Sequence, residues 1–410
     1  MGVMKISSAV LLTLIFISMI ILSLCKSTTP TFGDDLAFLK RFTNAFVLSD
    51  ESGRKQVALV PEYQGRVMTS TADGEAGFSF GWVNRDLIAS EEKQPHINVY
   101  GGEDRFWLGP EGGQYSIFFK EGDPFDLDHW FTPTWIDTEP YAVVSQSQDR
   151  ATFSLKFQLT NYSGTQLDLE VMREVRLLSD DDVEKELELT MNPAVKAVAF
   201  ERVNEIKNTG SNPWKKETGL LSIWILGMFN ASPATTAVIP FIEGNEKALG
   251  PIVNDTYFGK VPEERLVVKE GVMFFAADAD YRSKIGVSPT RSKPVIGSYD
   301  AINRVLTVVQ FTLPTGVTDY VNSMWEIQEE PYGGDAVNSY NDGPPESGAA
   351  QLGKFYELET SSPALALQPG QTGKHIHRTY HFQGSESELD SIARKTLGVG
   401  IEEIKSALKK

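Results

Sequence analysis

Apolar and polar residues alternate along much of the chain. Between residues 153 and 159, phenylalanine and leucine occupy every second position, and polar residues fill the positions between them. Side chains alternate between the two faces of a β-strand, so this pattern predicts a strand with one buried face. Comparable runs lie at 167–178 and 185–191, and the runs at 267–275 and 303–313 are rich in valine, phenylalanine and threonine. Turn sequences recur along the chain. The pattern predicts a large antiparallel β domain.

Helical spacing of apolar residues appears near the N-terminus. Asp34 or Asp35 could cap a short helix there, because aspartate side chains accept hydrogen bonds from the free backbone N–H groups of a first turn. The apolar residues at this spacing are Leu36, Leu39, Phe42 and Phe46. We predict a short helix before the first strands.

The segment from residue 385 onward is also predicted to be helical. Ser385 or Ser387 could cap a helix that Gly398 ends, and a second short helix follows. With 410 residues, 41% of them hydrophobic, the chain is long enough for one large all-β domain. We divide it into a signal peptide at 1–24, a tether with a short helix at 25–49, a β domain at 50–384 and terminal helices at 385–410.

The first 24 residues have the layout of an export signal. Lys5 precedes an apolar run from Ala9 to Leu24, which is shorter than the ~20 residues of a comfortable membrane span. Cys25 follows directly, as in bacterial lipoprotein signals, where the cysteine is lipidated and becomes the mature N-terminus. We predict an exported lipoprotein of the cell envelope, anchored by lipid rather than spanning the membrane. Plain secretion and an uncleaved anchor are the alternatives.

Composition and motifs argue against several classes of function. The net charge of −17 disfavours binding to nucleic acid or to an anionic membrane surface. The sequence contains no glycine loop that would cradle phosphate and no His-Glu-x-x-His motif. We predict no cofactor and no metal site, although His375 and His377, with Glu359, could together reach one ion.

One short stretch, 353–382, concentrates ionisable residues. Glu357 and Glu359 share a strand parity opposite the apolar Tyr356, and a turn separates them from a second strand-like run. Each run has an apolar face that should pack on a core and an ionisable face that is either wet surface or the floor of a site. The second run carries three of the chain's five histidines, His375, His377 and His381, at one parity.

Several segments resemble galactose mutarotase-like proteins, the superfamily of the aldose 1-epimerases. Residues 59–71, LVPEYQGRVMTST, resemble its opening strand pair, and residues 204–214, NEIKNTGSNPW, resemble its N-x-G-x-x-P turn. Residues 356–372 resemble the carboxy-terminal segment of hexose-6-phosphate mutarotases, and residues 101–114, GGEDRFWLGPEGGQ, resemble an uncharacterised secreted branch. The resemblance spans roughly residues 50–384. It implies a β-supersandwich, in which large antiparallel sheets hold a sugar on a concave face.

The resemblance also implies a reaction. In the family, a glutamate on this strand removes the proton of the anomeric hydroxyl, and a histidine protonates the ring oxygen, so that the ring opens and closes with C1 inverted. Glu359, rather than Glu357, matches the family glutamate. No histidine matches the family acid, because the segment KKETGLLSIWILGMF after the proline turn contains none. His129, in an aromatic loop suited to a sugar, is the other candidate catalytic residue.

Further candidates are the residue types that contact sugar hydroxyls and ring faces. An arginine, a carboxylate and a tryptophan occur together within 101–114, although the arginine and carboxylate could simply pair across the turn. A predicted loop at 335–345 is rich in polar side chains, and it could equally be a solvated turn. The predicted substrate-binding residues are Arg105, Trp107, Glu111, Trp325, Asn338, Tyr340, Asn341, Asp342, His375 and His377.

Functions of different classes stay open at this point. The first is an envelope enzyme of the aldose 1-epimerase type that uses Glu359. The second is a sugar-binding or structural lipoprotein that keeps the cleft without the chemistry. A third, a glycoside hydrolase or lyase, would need two opposed carboxylates such as Glu111 and Glu359. Each of the enzymes, and a binding lipoprotein, would take a mono- or oligosaccharide as its partner.

Overall fold

The structure, a computed structural model, describes residues 30–346 and 348–408. Within these ranges the alternating segments form eighteen strands, which are arranged in three antiparallel sheets. The predicted all-β architecture of large antiparallel sheets with helices at both ends is confirmed. The signal peptide and Cys25 lie outside the described residues, and the predicted domain boundaries stay a prediction.

The strands and helices follow the chain in a simple order. The strands are β1 Phe46–Ser49, β2 Gln56–Val60, β3 Arg66–Thr71, β4 Arg105–Gly109, β5 Ala142–Gln146, β6 Arg150–Thr160, β7 Gln166–Leu177, β8 Lys196–Asn208, β9 Ser222–Asn230, β10 Thr235–Pro240, β11 Leu266–Lys269, β12 Val272–Ala276, β13 Ser283–Val287, β14 Val295–Asp300, β15 Val305–Phe311, β16 Val337–Asn341, β17 Phe355–Ser361 and β18 Thr372–Gln383. The α-helices are α1 Phe32–Phe42, α2 Arg85–Ser90, α3 Asp180–Leu187, α4 Glu246–Leu249, α5 Glu386–Leu397 and α6 Ile401–Ala407.

Two large sheets pack face to face. One has ten strands in the order β11-β12-β10-β14-β15-β18-β8-β7-β6-β5, and the other has five in the order β13-β16-β17-β9-β4. The apolar faces of the two sheets pack against each other. Leu358 of β17 shares a buried cluster with Val309 of β15, and Phe106 of β4 shares another with Val171 of β7. The opposite face of the five-stranded sheet is therefore left to carry polar side chains.

The first three strands form a small sheet that α1 covers. The helix begins after Thr31, whose hydroxyl accepts from the backbone N–H of Asp34, while the Asp34 carboxylate accepts from the backbone N–H of Thr31. This capping box starts the helix earlier than predicted, and Phe46 belongs to β1 instead of the helix. Leu36 and Leu39 are buried in a cluster with residues of β2 and β3.

The strand predicted from the alternation at 185–191 is wrong. This part of the chain begins as helix α3, because Ser179 and Asp182 form a capping box and three aspartates lie in the first turn, where the helix dipole favours negative charge. Val183 and Leu187, four residues apart, lie on one face of the helix and are both buried.

The two C-terminal helices are confirmed. A capping box between Ser385 and Glu388 starts α5, and Gly398, with a φ of 79°, ends it in the left-handed region that glycine tolerates. Leu389 is buried in one cluster with Tyr380 of β18, so the helices cover the outer face of the ten-stranded sheet. Over the described ranges, no helix combines the length and the apolar character that crossing a membrane requires.

A fully buried ion cluster joins the sheets. Asp104, just before β4, accepts from Arg173 Nη2 of β7 at 3.0 Å and from Arg202 Nε of β8. Its other oxygen accepts from the backbone N–H of Val67 in β3 at 2.6 Å. Arg173 also donates to the carbonyl of Gln64 at 2.9 Å. One carboxylate therefore links strands from all three sheets.

Candidate functional site

The outer face of the five-stranded sheet carries the candidate site. In the register of this sheet, Tyr340 pairs with Glu357 and Asn338 pairs with Glu359. Directly paired residues of neighbouring strands point to the same face. The side chains on this face are Lys284 from β13, Asn338 and Tyr340 from β16, Glu357 and Glu359 from β17, Trp224 from β9, and Arg105 and Trp107 from β4.

Apart from Glu359, these side chains form the floor of a cavity of about 950 Å³. Segments 251–258, 321–326 and 333–335 form its sides. The volume is in the range of small-molecule binding sites. Its aromatic lining consists of Trp107, Trp130, Trp224, Tyr257, Phe258, Trp325, Tyr340 and Phe355. Indole and phenol rings beside charged groups are suited to a ligand with one apolar face and many hydroxyls.

Glu359 lies at the back of this floor and is fully buried. Its Oε2 accepts from the Lys284 ammonium at 2.9 Å and from the Trp224 indole N–H at 2.9 Å. The Lys284 ammonium also lies 4.7 Å from the Trp224 ring centroid. The carboxylate predicted as the general base is therefore held by two donors of the sheet.

Glu357 is the carboxyl group of β17 that lines the cavity. Its Oε1 accepts from Arg105 Nη2 at 3.1 Å, and the Arg105 guanidinium stacks 4.4 Å from the Trp107 ring centroid. Burial raises the pKa of Glu357 to about 8; Arg105 opposes this shift, and the carboxylate of Glu359 adds to it. Glu357 can therefore hold a proton at neutral pH, and of the two glutamates on this strand it is the one that lines the cavity.

Glu111 lies on the cavity wall near Trp325. Its Oε1 accepts from the Trp325 indole N–H at 3.1 Å. Burial raises the pKa of the Glu111 carboxyl group, while the charge of Lys284 and the Trp325 hydrogen bond lower it. Both predicted residues thus line the cavity, with the indole held in place by the carboxylate.

A second acidic group lies on the β13 side of the cavity. The Tyr257 hydroxyl donates to Asp335 Oδ2 at 2.5 Å and accepts from Asn338 Nδ2 at 3.1 Å. Burial raises the pKa of Asp335 to about 6. Burial, together with the charge of Asp335, raises the pKa of the Tyr257 hydroxyl well above its usual value. All three side chains line the cavity.

The structure places His375 and His377 away from this cavity. Both lie on β18 in the ten-stranded sheet, are fully buried and face Thr360 of β17, whose Oγ1 lies 2.9 Å from a ring nitrogen of each. Burial lowers the pKa of His375 to about 3 and lowers that of His377 as well. Thr360 has the opposite parity to Glu359, so the glutamates and histidines lie on opposite faces of β17. These histidines pack between the two sheets and do not line the cavity.

The structure also separates three other predicted residues from the cavity floor. His129 is exposed, and its Nδ1 lies 2.6 Å from Asp126 Oδ1; the hydrogen bond to Asp126 raises the pKa of His129. Asn341 accepts from the backbone N–H of Ala279 at 2.8 Å, and Asp342 accepts from the backbone N–H of Gly353 at 2.7 Å. The last two side chains are buried and hold loops in place.

Sequence reasoning missed Lys284, Trp224, Tyr257 and Asp335 as site residues. A lysine inside the short apolar strand SKIGV was a usable signal, because a lone charge on a strand marks one face as polar. Tyr257 and Asp335 lie on irregular segments outside the strands, where no periodicity predicts the direction of a side chain. In the described part of the chain, no group of three or more His, Cys, Asp or Glu residues is placed to hold a metal ion.

One protein family matches nearly the whole described chain, and the similar solved structures cover 82–83% of the chain. A family model described as "Family of unknown function (DUF6786)" matches residues 30–408. A search of curated proteins found no match. Among solved structures, a protein from Synechocystis is similar at 13% identity and a TM-score of 0.49, covering 83% of this chain and 96% of that one.

Two further solved structures come from lactobacilli. A galactose mutarotase-like protein from Lactobacillus casei is 8% identical with a TM-score of 0.47, covering 82% of this chain and 100% of that one. A galactose mutarotase related enzyme from Lactobacillus acidophilus is 10% identical with a TM-score of 0.43, covering 83% and 98%. At these identities and TM-scores the similarity gives no information on the activity of this chain.

Proposed function

The chain belongs to DUF6786, a family of unknown function, and we propose from its cleft that it binds a carbohydrate and interconverts the anomers of a free aldose. The observation that carries this proposal is the pair of neighbouring carboxyl groups on β17. Glu357 faces the cavity with a pKa raised to about 8, and Glu359 lies behind it, bound to Lys284 and Trp224. General acid catalysis at neutral pH needs a group of this kind.

The cavity supports a sugar as the ligand. Indole rings at its floor and wall offer flat apolar faces to the C–H groups of a pyranose ring. Arg105, Lys284 and Asn338 offer donors, and the carboxyl groups offer acceptors, for the hydroxyls at the ring edge. A purely apolar ligand would exclude water from the remaining hydrogen-bonding positions of these polar groups without replacing it, at a cost in free energy.

We assign the role of general acid to Glu357. The protonated carboxyl group gives its proton to the ring oxygen O5 as the C1–O5 bond breaks, and a base removes the proton of the C1 hydroxyl, so that an open-chain aldehyde forms. Rotation about C1–C2 and the reverse steps close the ring on the other face. Burial raises the pKa of Glu357, and the charge of Glu359 adds to this shift, so the acid stays protonated. Glu359 then acts as a positioning residue, in place of the base suggested by the sequence.

A sugar-binding protein without catalysis is the second candidate function. It is favoured by one observation: the described residues that line the cavity include no histidine. The reaction implied by the resemblance to galactose mutarotase-like proteins uses a histidine as its acid. Binding of a sugar without any turnover would support this candidate.

Anomer interconversion and sugar binding should both be measured on the wild-type protein. We expect exchange between α and β anomers, followed by NMR across a panel of aldoses, to exceed the uncatalysed rate for at least one sugar. Trp325→Ala should weaken binding of that sugar because it removes a ring from the cavity wall. Trp135→Ala is the matched control, since Trp135 stacks on Phe157 away from the cavity. Absence of binding across the panel would exclude the proposed function.

We also propose that Cys25 carries a lipid that anchors the protein to the cell envelope, facing the periplasm or the outside. The supporting pattern is the apolar run from Ala9 to Leu24 immediately before the cysteine. Cys25→Ser should move the protein from the membrane fraction to a soluble or unprocessed form, whereas Ser27→Ala should change nothing. Fractionation and mass spectrometry of the N-terminal peptide test this. An unmodified mature N-terminus well past Cys25 would disprove lipidation and leave secretion.

A further inference from the structure

The cluster of Tyr257, Asp335 and Asn338 has no role in the steps assigned so far. The Tyr257 hydroxyl donates a hydrogen bond to Asp335 Oδ2 at 2.5 Å and accepts one from Asn338 Nδ2 at 3.1 Å. A phenol oxygen can accept a second hydrogen bond. The geometry therefore leaves one acceptor position on Tyr257, in a residue that lines the sugar cavity.

We propose that Tyr257 is the catalytic residue that removes the proton of the anomeric hydroxyl, and that Asp335 receives the proton which Tyr257 releases. This inference rests on the proposed function and supplies the base that the reaction needs. In one concerted step the C1 hydroxyl proton passes to the Tyr257 oxygen and the phenol proton passes to Asp335 Oδ2. The electron pair of the broken O–H bond forms the carbonyl π bond, while the C1–O5 bond breaks and O5 takes its electron pair and the proton of Glu357. Tyr257 is neutral before and after the step, and Asp335 ends protonated.

The sheet leaves room for this carboxyl group at one position. Gly286 of β13 faces the cluster, and a Cβ added to it would lie 2.0 Å from Asp335 Oδ2 and 2.7 Å from Asn338 Nδ2. A residue with a side chain could not occupy this position while Asp335 and Asn338 keep theirs. The absence of a side chain at Gly286 therefore allows the acid to sit against the strand and reach Tyr257.

Lys284 connects this cluster to the Glu357 side of the cavity. Its ammonium lies 2.9 Å from Glu359 Oε2 and 5.6 Å from the Tyr257 ring centroid. A sugar bound over Lys284 would thus have Glu357 on one side and Tyr257 on the other. A positive charge at this point also stabilises the negative charge that develops on the C1 oxygen during proton removal.

The ionisable groups around the cluster set an expected pH dependence. Burial raises the pKa of Asp335 to about 6; Tyr257 from segment 251–258 and Lys284 from β13 act on it in the opposite direction. Burial and the charge of Asp335 raise the pKa of Tyr257, and the charge of Glu359 adds to this shift. Asp335 must be ionised to accept the proton, so the rate should rise as the pH passes about 6. Glu357 must be protonated, so the rate should fall as the pH passes about 8.

The test measures anomer exchange by NMR, as a function of pH, in the full-length protein and three variants. Tyr257→Phe keeps the ring and removes the hydroxyl, so kcat should fall by about 10²-fold or more while sugar affinity changes little. Asp335→Asn should lower the rate and abolish its rise near pH 6, the acid limb of the pH profile. The fall of the rate near pH 8, the alkaline limb, should remain. Tyr162→Phe is the matched control, because its hydroxyl donates to the Asp123 carbonyl outside the cavity.

The outcomes separate this inference from the proposed function. A wild-type rate in Tyr257→Phe, or an unchanged limb near pH 6 in Asp335→Asn, overturns the inference and leaves the epimerase proposal intact. Sugar binding by the wild-type protein without turnover overturns both. If Asp335→Asn fails to fold, as its melting curve would reveal, Tyr257→Phe with unchanged sugar affinity decides alone.

Discussion

Exchange of Glu357 for glutamine is expected to lower the rate of anomer interconversion by about 10²- to 10⁴-fold, because glutamine keeps the shape of the side chain and cannot donate the proton that O5 requires. The amide can still accept from Arg105, so sugar affinity should change much less than kcat. Exchange NMR on the wild-type protein and the variant, with binding measured by calorimetry, gives both quantities. The limb near pH 8 should disappear from the rate profile of this variant.

Two further variants show whether Glu357 acts as the acid. Glu359→Gln removes a negative charge that raises the pKa of Glu357, so the alkaline limb should move to lower pH and the rate at neutral pH should fall. Glu205→Gln, on β8 beside Lys374 and outside the cavity, should leave the profile unchanged. If Glu359→Gln abolishes the rate at every pH while Glu357→Gln remains active, Glu359 is the catalytic carboxylate, as the sequence first indicated.

Replacement of Asp104 by alanine is expected to lower the free energy of unfolding by about 3–5 kcal/mol. Asp104, Arg173 and Arg202 are all fully buried, and the variant would leave two guanidinium groups without their counter-charge. The backbone N–H of Val67 would also lose its acceptor. Urea unfolding followed by circular dichroism measures the change. A large loss of stability would identify this cluster as the main polar link between the three sheets.

An exposed ion pair provides the control for this experiment. Asp73 accepts from Lys196 at 2.6 Å, and its side chain is 39% exposed. Asp73→Ala should cost about 1 kcal/mol or less, because water screens the charges and replaces the lost contacts. Equal destabilisation by the two variants would contradict a special role for the buried cluster.

The strands and helices of this protein follow in large part from its sequence alone. Alternation with a period of two predicted β6 and β7, since one face of each strand must be buried. A run rich in valine, threonine and phenylalanine predicted β15. Ser385 and Gly398 predicted the limits of α5, because caps act within one turn of the chain. The alternation in β17 also predicted that Glu357 and Glu359 share a face. All of these features depend on neighbours within a few residues.

Which faces of these strands pack together depends on the tertiary structure. The runs at 355–361 and 372–383 follow each other in sequence, yet β17 and β18 belong to different sheets. Each strand has one polar face; in β17 that face is turned toward the cavity, whereas in β18 it is turned toward the core. Parity along one strand gives no information on which sheet a strand joins. Tyr257 and Asp335 are 78 positions apart. They become neighbours because Asn254, three residues before Tyr257, bridges to Gly286 of β13, and β13 pairs with β16, which follows Asp335. The long-range pairing of strands, and the burial that raises the pKa of Glu357, therefore decided which polar residues form the candidate site.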